Sequence, residues 1–152
     1  MSWVIPVLAA WALAVAVLDA RFRRLPNALT LGTALLAVTY LAGFGRGPLD
    51  TAPASNLLAA ALFLLFLLPA YARHWVGGGD VKLGVAFGLL GGLKASLVTL
   101  GAGGLLLAAL GWRAQRTRRP GDPPRVVPWG TAHGLAFAAA VVVMEHMPGG
   151  IY

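Results

Sequence analysis

Asp19 and Asp80 are two of only five acidic residues in a chain of 152. Asp19 closes the first long apolar run, Val4 to Leu18, and Asp80 follows Gly77-Gly78-Gly79 just before the run Val81 to Leu93. An ionisable group at the rim of a membrane is costly to keep there, so each is a candidate functional residue. Two carboxylates brought together can divide one proton, one activating a water as general base while the other protonates a leaving group as general acid.

The elements that must position this pair follow from composition. With 59% hydrophobic and 11% charged residues, and a mean hydropathy of +0.77, the chain has too little polar surface to clothe a soluble globule. It is expected to be all-α and embedded in the lipid bilayer. Apolar segments recur at Ser2 to Leu18, Ala28 to Phe44, Asn56 to Ala72, Val81 to Leu93, Ala95 to Trp112 and Val127 to Met147. A hydrocarbon core of about 30 Å takes about 20 helical residues, with about 17 tolerated. Five segments meet that length, and the fourth does so if Asp80 and Lys82 form its rim and Lys94 snorkels at its other end.

Loop charge supports six spans. The first, third and fifth connections carry Arg21, Arg23, Arg24, Arg73, Lys82, Arg113, Arg116, Arg118, Arg119 and Arg125, whereas the second and fourth carry only Arg46 and Lys94. Basic residues mark cytoplasmic loops. The expected topology is therefore six transmembrane helices with both termini on the non-cytoplasmic side, and a re-entrant fourth segment would put Arg113 to Arg125 on the wrong side. That topology accounts for the net charge of +7 without a nucleic-acid partner, although Arg113 to Arg125 could touch anionic headgroups.

No cysteine is present, which excludes disulfides, thiolate zinc sites and a cysteine nucleophile. The first run lacks the basic flank and small-residue cleavage site of a removable signal, so it is expected to persist as the first helix. No internal repeat or composition break divides the chain, and residues 1–152 read as one transmembrane domain. Gly84 with Gly88, and Gly101 with Gly104, are spaced to let helices approach closely.

On this topology Asp19 and Asp80 share a face and a depth. Each also has an ordinary structural reading: Asp80 as a helix N-cap after a flexible glycine turn, and Asp19 as a partner of Arg21, Arg23 or Arg24. The macrodipoles of their own helices favour an ionised Asp80 as base and a protonated Asp19 as acid. Gly77, Gly78 and Gly79 expose backbone groups that could hold an extended peptide. Lys82 is placed to modulate Asp80 or simply to snorkel, and Pro26 with Asn27 forms a turn and helix start that could shape a substrate groove. His133 is placed to hydrogen-bond within the bundle, and Glu145 and His146 fall at the external end of the last helix.

These residues carry a resemblance. Gly77-Gly78-Gly79-Asp80-Val81-Lys82-Leu83 resembles the GxGD signature of membrane aspartyl proteases, in the form found in type IV prepilin peptidases. Asp19 followed by Arg21, Arg24, Leu25, Pro26, Asn27 and Leu29-Thr30 is similar to the segment bearing the first catalytic aspartate of that family. Val127-Pro128-Trp129-Gly130 is similar to a third family segment. The resemblance implies an aspartic endopeptidase of the cell (inner) membrane, with catalytic Asp19 and Asp80, no metal and no cofactor. It would remove the leader from prepilin or pseudopilin-like precursors at the cytoplasmic face, after a glycine that precedes a hydrophobic helix. Longer members carry a cysteine-bearing insertion and also methylate the new amino terminus. This chain has a short first cytoplasmic loop and no cysteine, so it resembles the tight-adherence (Flp-type) form, with archaeal preflagellin peptidases also similar. Two other readings stay open: a small proton-coupled transporter or channel, in which membrane carboxylates relay protons, and a non-catalytic pilus assembly factor.

Overall fold

The computed structural model describes residues 3–117 and 128–146. Every regular element within them is helical: α1 (Val4–Phe22), a π-helical turn (Ala28–Gly32) running on into α2 (Thr33–Phe44), α3 (Pro53–Ala72), α4 (Gly78–Arg116) and α5 (Trp129–His146). α1, α3 and α4 are long and apolar enough to cross a bilayer, and Ala28–Phe44 and Trp129–Met144 are shorter apolar helices. Large apolar side chains such as Leu36, Leu65 and Phe66 point outward. An all-helical chain with an apolar exterior is the architecture of a membrane protein. Arg118, Arg119, Arg125, Val127 and Met147 lie outside the described residues.

The fourth and fifth apolar segments expected from the sequence share the one long helix α4, but it is broken. Gly92 has φ 67° and ψ −174°, a conformation outside the helical region and open to glycine. The chain reverses there. A Cβ on Gly91 would fall 2.9 Å from the Phe137 ring, yet one on Gly103, beyond the break, would fall 2.6 Å from His133, one turn nearer the start of α5. A helix continuing straight would have moved the other way along α5. Two backbone groups at this break find side-chain partners from α3: Asn56 Nδ2 donates to Leu89 O at 2.7 Å, and the Leu93 N–H donates to Ser55 Oγ at 2.9 Å; Thr51, just before α3, donates its Oγ1 to Asn56 Oδ1 at 2.7 Å and so holds the Asn56 amide. Buried groups of this kind are costly unless paired.

Two seams place the first turn of α4 and the end of α1. Along α3 and α4, a Cβ on Gly84 would strike Leu67 and Phe63, and one on Gly88 would lie 2.4 Å from the Ala60 backbone nitrogen. Along α1 and α5, a Cβ on Gly134 would lie 2.9 Å from the Ala12 carbonyl oxygen. Gly101 and Gly104 behave otherwise. Among the described residues a Cβ at either would meet nothing within 4 Å, so there their spacing marks no close helix contact, contrary to expectation.

An aromatic knot joins α1, α4 and α5. Phe87 and Phe137 stack at 4.6 Å, and Trp11 meets their edges at 5.6 and 6.2 Å. Phe87 lies two turns beyond Asp80 and Trp11 two turns before Asp19, so the knot fixes both helices about 10 Å from the carboxylates.

Candidate active site

Asp19 sits one turn inside the end of α1. Arg23 closes that helix in a left-handed conformation (φ 51°), its N–H bonding to the Asp19 carbonyl at 2.9 Å, and the chain then turns through Leu25 and Pro26. Asn27 starts the π-helical turn, and the Leu29 N–H bonds to Pro26 O at 3.0 Å, as a turn followed by a helix start requires.

Asp19 is 6% exposed and does not pair with the neighbouring arginines; among the described residues the ion pair formed is Arg46–Asp50, on another connection. Its partners come from α5. The Thr131 backbone N–H donates to Asp19 Oδ2 at 2.7 Å, and Thr131 Oγ1 lies 3.2 Å from the same oxygen. Gly130 makes this approach possible, since a Cβ there would fall 2.9 Å from Asp19 Oδ2. The start of α5 therefore faces the carboxylate. Asp19 thus stands at the C-terminal end of α1 and also at the N-terminus of α5, whose dipole offsets that of α1 and weakens the distinction between the two carboxylates expected from their own helices.

Asp80 is not an N-cap. Gly77 takes that place in extended conformation (φ −82°, ψ 159°), and Asp80, in the first turn, reaches back so that the Gly77 N–H donates to Asp80 Oδ2 at 2.9 Å. Gly78 and Gly79 belong to the helix and do not offer an extended edge. Gly78 faces Tyr71, and Gly79 faces Leu25.

One cavity of about 480 Å³ opens between these elements, a volume suited to a short peptide segment. Asp19 and Asp80, 61 positions apart, both line it, with Gly77, Gly79, Asn27 and Lys82. Gly78 and Pro26 do not line it, although each shapes a neighbour that does. Lys82 Nζ donates to Asn27 Oδ1 at 3.0 Å, joining the start of α4 to the start of the π-helical turn across the mouth. Arg23 and Arg24 add positive charge to the wall, and Leu25, Trp75, Val76 and Trp129 add apolar surface.

Sequence reasoning missed Thr131, Trp75 and the steric role of Gly130. Thr131 directly follows the Pro128-Trp129-Gly130 segment, and a hydroxyl in a first helical turn was the available signal. His133 stays away from the cavity: it is buried, its ring stacks on Trp129 at 3.9 Å, and its Nδ1 is 3.1 Å from Trp129 O. His146 Nδ1 lies 2.9 Å from Val142 O at the far end of α5, in an exposed position. Among the described residues no group of three or more His, Cys, Asp or Glu is arranged to hold a metal.

Searches of curated proteins and of solved structures return no match. The model of the type IV leader peptidase family matches residues 6–112, a span that contains both aspartates and ends before Thr131. That match covers more than two thirds of the chain, and with two carboxylates on one cavity in an all-helical membrane fold, the chain belongs to the type IV leader peptidase family, a family of proteases.

Proposed function

We propose that the chain is an aspartic leader peptidase in which Asp19 and Asp80 form the acid–base pair, acting on prepilin or pseudopilin-like precursors at the cytoplasmic face of the cell membrane. The observation that carries this reading is the convergence of two distant carboxylates on one cavity, each held through one oxygen by backbone donors. In the reaction, one carboxylate takes a proton from a water as its oxygen attacks the scissile carbonyl carbon. The other carboxyl group gives its proton to the amide nitrogen as the C–N bond breaks, and a proton passed between the two restores the pair. The roles of base and acid therefore belong to the pair and not to either residue alone.

Topology supports the side. With Gly92 dividing α4, the described chain has six apolar helical rods, and the ten basic residues of the odd connections orient the Asp19 and Asp80 ends toward the cytoplasm. Gly77, Gly79, Asn27 and Lys82 are placed to contact the peptide around the scissile bond, and Pro26 and Gly78 to shape that wall. The absence of cysteine supports a peptidase without methyltransferase activity, of the short Flp-type form. A proton relay would want acids spaced along a path across the bilayer, whereas both acids here open on one cavity at one end of the bundle.

The test is co-expression with pilin-like precursors from the same genome, comparing wild type with Asp19→Asn and Asp80→Asn by gel shift at equal membrane levels. Cleavage by wild type that disappears in each variant is expected. Precursors left uncut by wild type, or cut equally well by either variant, would overturn the assignment and bring a transport role forward.

A further inference from the structure

Thr131 makes a contact that the threonines of the other helices do not. Thr33, Thr39 and Thr99 turn their hydroxyls to carbonyls four residues back in their own helices, at 3.0, 3.0 and 2.7 Å. Thr131 stands in the first turn of α5 and reaches across to α1. Its Oγ1 lies 3.2 Å from Asp19 Oδ2 and 3.2 Å from the Ala16 carbonyl oxygen. A hydroxyl carries one hydrogen and two lone pairs and rotates to suit its neighbours. Here that hydrogen has two acceptors and serves one of them well at a time.

Such a hydroxyl suits a carboxyl group that changes protonation state. With Asp19 ionised, the hydrogen turns to Oδ2 and donates. With a proton on Oδ1, where the water leaves it, Oδ2 becomes the carbonyl oxygen, a weaker acceptor, and the hydroxyl hydrogen can turn to Ala16 O. The Thr131 backbone N–H donates to Oδ2 in either case, at 2.7 Å. The Gly77 N–H that holds Asp80 can only donate.

We infer that Thr131 is a positioning residue for the cleavage reaction, holding Asp19 through Oδ2 in both of its protonation states and leaving Oδ1 for the water. The inference rests on the peptidase reading above. Gly130 is its steric condition, since any larger residue would push the carboxylate off the start of α5.

The test uses the purified full-length protein in proteoliposomes with a pilin-like precursor from the same genome, and measures steady-state cleavage by wild type, Thr131→Val and Thr131→Ser. Valine keeps the shape and the backbone N–H and removes only the hydroxyl. Thr131→Val is expected to lower kcat about tenfold, the loss of one hydrogen bond to a charged group, with KM changed less than about twofold. Thr131→Ser is expected to restore kcat to within about threefold of wild type. A Thr131→Val protein as fast as wild type, a loss confined to KM, or a loss that serine does not recover would overturn the proposal. Should valine prevent accumulation in the membrane, Thr131→Ala against Thr131→Ser is read in the same way. Cleavage lost in Asp19→Asn but kept in Thr131→Val removes the role of Thr131 alone, whereas a wild type that leaves the precursor uncut removes the peptidase reading and this role together.

Discussion

Asp19 and Asp80 line the same cavity, yet opposite kinds of structure hold them. Asp80 is kept by its own turn: the donor to its carboxylate is the Gly77 N–H, three residues back. Asp19 is kept by a helix more than a hundred residues away, through Thr131, and lies against α5 with no room to spare. One carboxylate is a local feature carried on the α3/α4 seam, and the other exists as a site only once α1 and α5 have packed. Catalysis should therefore be more sensitive to small changes at the α1/α5 seam than at the glycine turn before Asp80.

The largest expected effect would erase the comparison. Asp19→Asn and Asp80→Asn should each reduce cleavage at least about a thousandfold, because groups that act as a unit fail together. The double variant should be no worse than either single one, as gel-shift assays of all three can decide. A residual rate that falls further in the double variant would mean that the two acids work independently.

A pair of alanine substitutions sharpens the contrast. Gly130→Ala puts a methyl group 2.9 Å from Asp19 Oδ2 and 3.0 Å from its Cγ, so the carboxylate must move. A misplacement of about 1 Å at a reacting group costs on the order of a hundredfold in rate. Gly77→Ala places its methyl 3.5 Å from Asp80 Oδ2, at an ordinary contact distance and with backbone angles open to alanine, and should cost less than about threefold. Equal losses from the two would show that both aspartates are held with equal tightness.

The same contrast explains what was legible in the chain before folding. Asp80 is announced by its neighbours, because three glycines before an aspartate at the start of an apolar run are a local pattern, and the capping contact is made by those residues. Asp19 was legible as a lone charge at the end of an apolar run. Its true partner was not, since nothing within ten residues of Asp19 points to Thr131, and the nearby arginines suggested an ion pair that does not form. The apolar character of the helices was readable from length and composition, but the short fourth segment did not announce that it shares one helix with the fifth, broken at Gly92. Glycine spacing could not tell Gly84 and Gly88, which face another backbone or ring, from Gly101 and Gly104, which face open space, because spacing fixes a helix face without saying what covers it.

That last distinction can be measured as stability. Gly88→Ala would set a methyl 2.4 Å from Ala60 N, 2.6 Å from its Cα and 2.7 Å from Ala59 C, all backbone atoms of α3 that cannot rotate away. Overpacking of this kind costs about 2 kcal/mol, partly offset by the better helix propensity of alanine. The unfolding midpoint in detergent should fall. Gly101→Ala keeps the propensity gain and meets nothing, so its midpoint should stay level or rise slightly. Because the α3/α4 seam sets the height of Asp80, Gly88→Ala should also lower cleavage, and Gly101→Ala should not.

The smallest effect is expected where the two halves of the site meet at the surface. Lys82 Nζ and Asn27 Oδ1 lie 3.0 Å apart with both residues exposed, so the bond competes with water and contributes less than about 1 kcal/mol. Lys82→Met removes both the bond and the positive charge while keeping the length of the side chain. If Lys82 only snorkels and ties the π-helical turn to α4, cleavage should fall less than about threefold, and Asn27→Ala should produce the same small change without adding to it. A loss above about thirtyfold in Lys82→Met alone would instead mean that its charge acts on Asp80, two residues away. The local hold on Asp80 would then extend beyond the Gly77 turn, and the asymmetry between the two carboxylates would narrow.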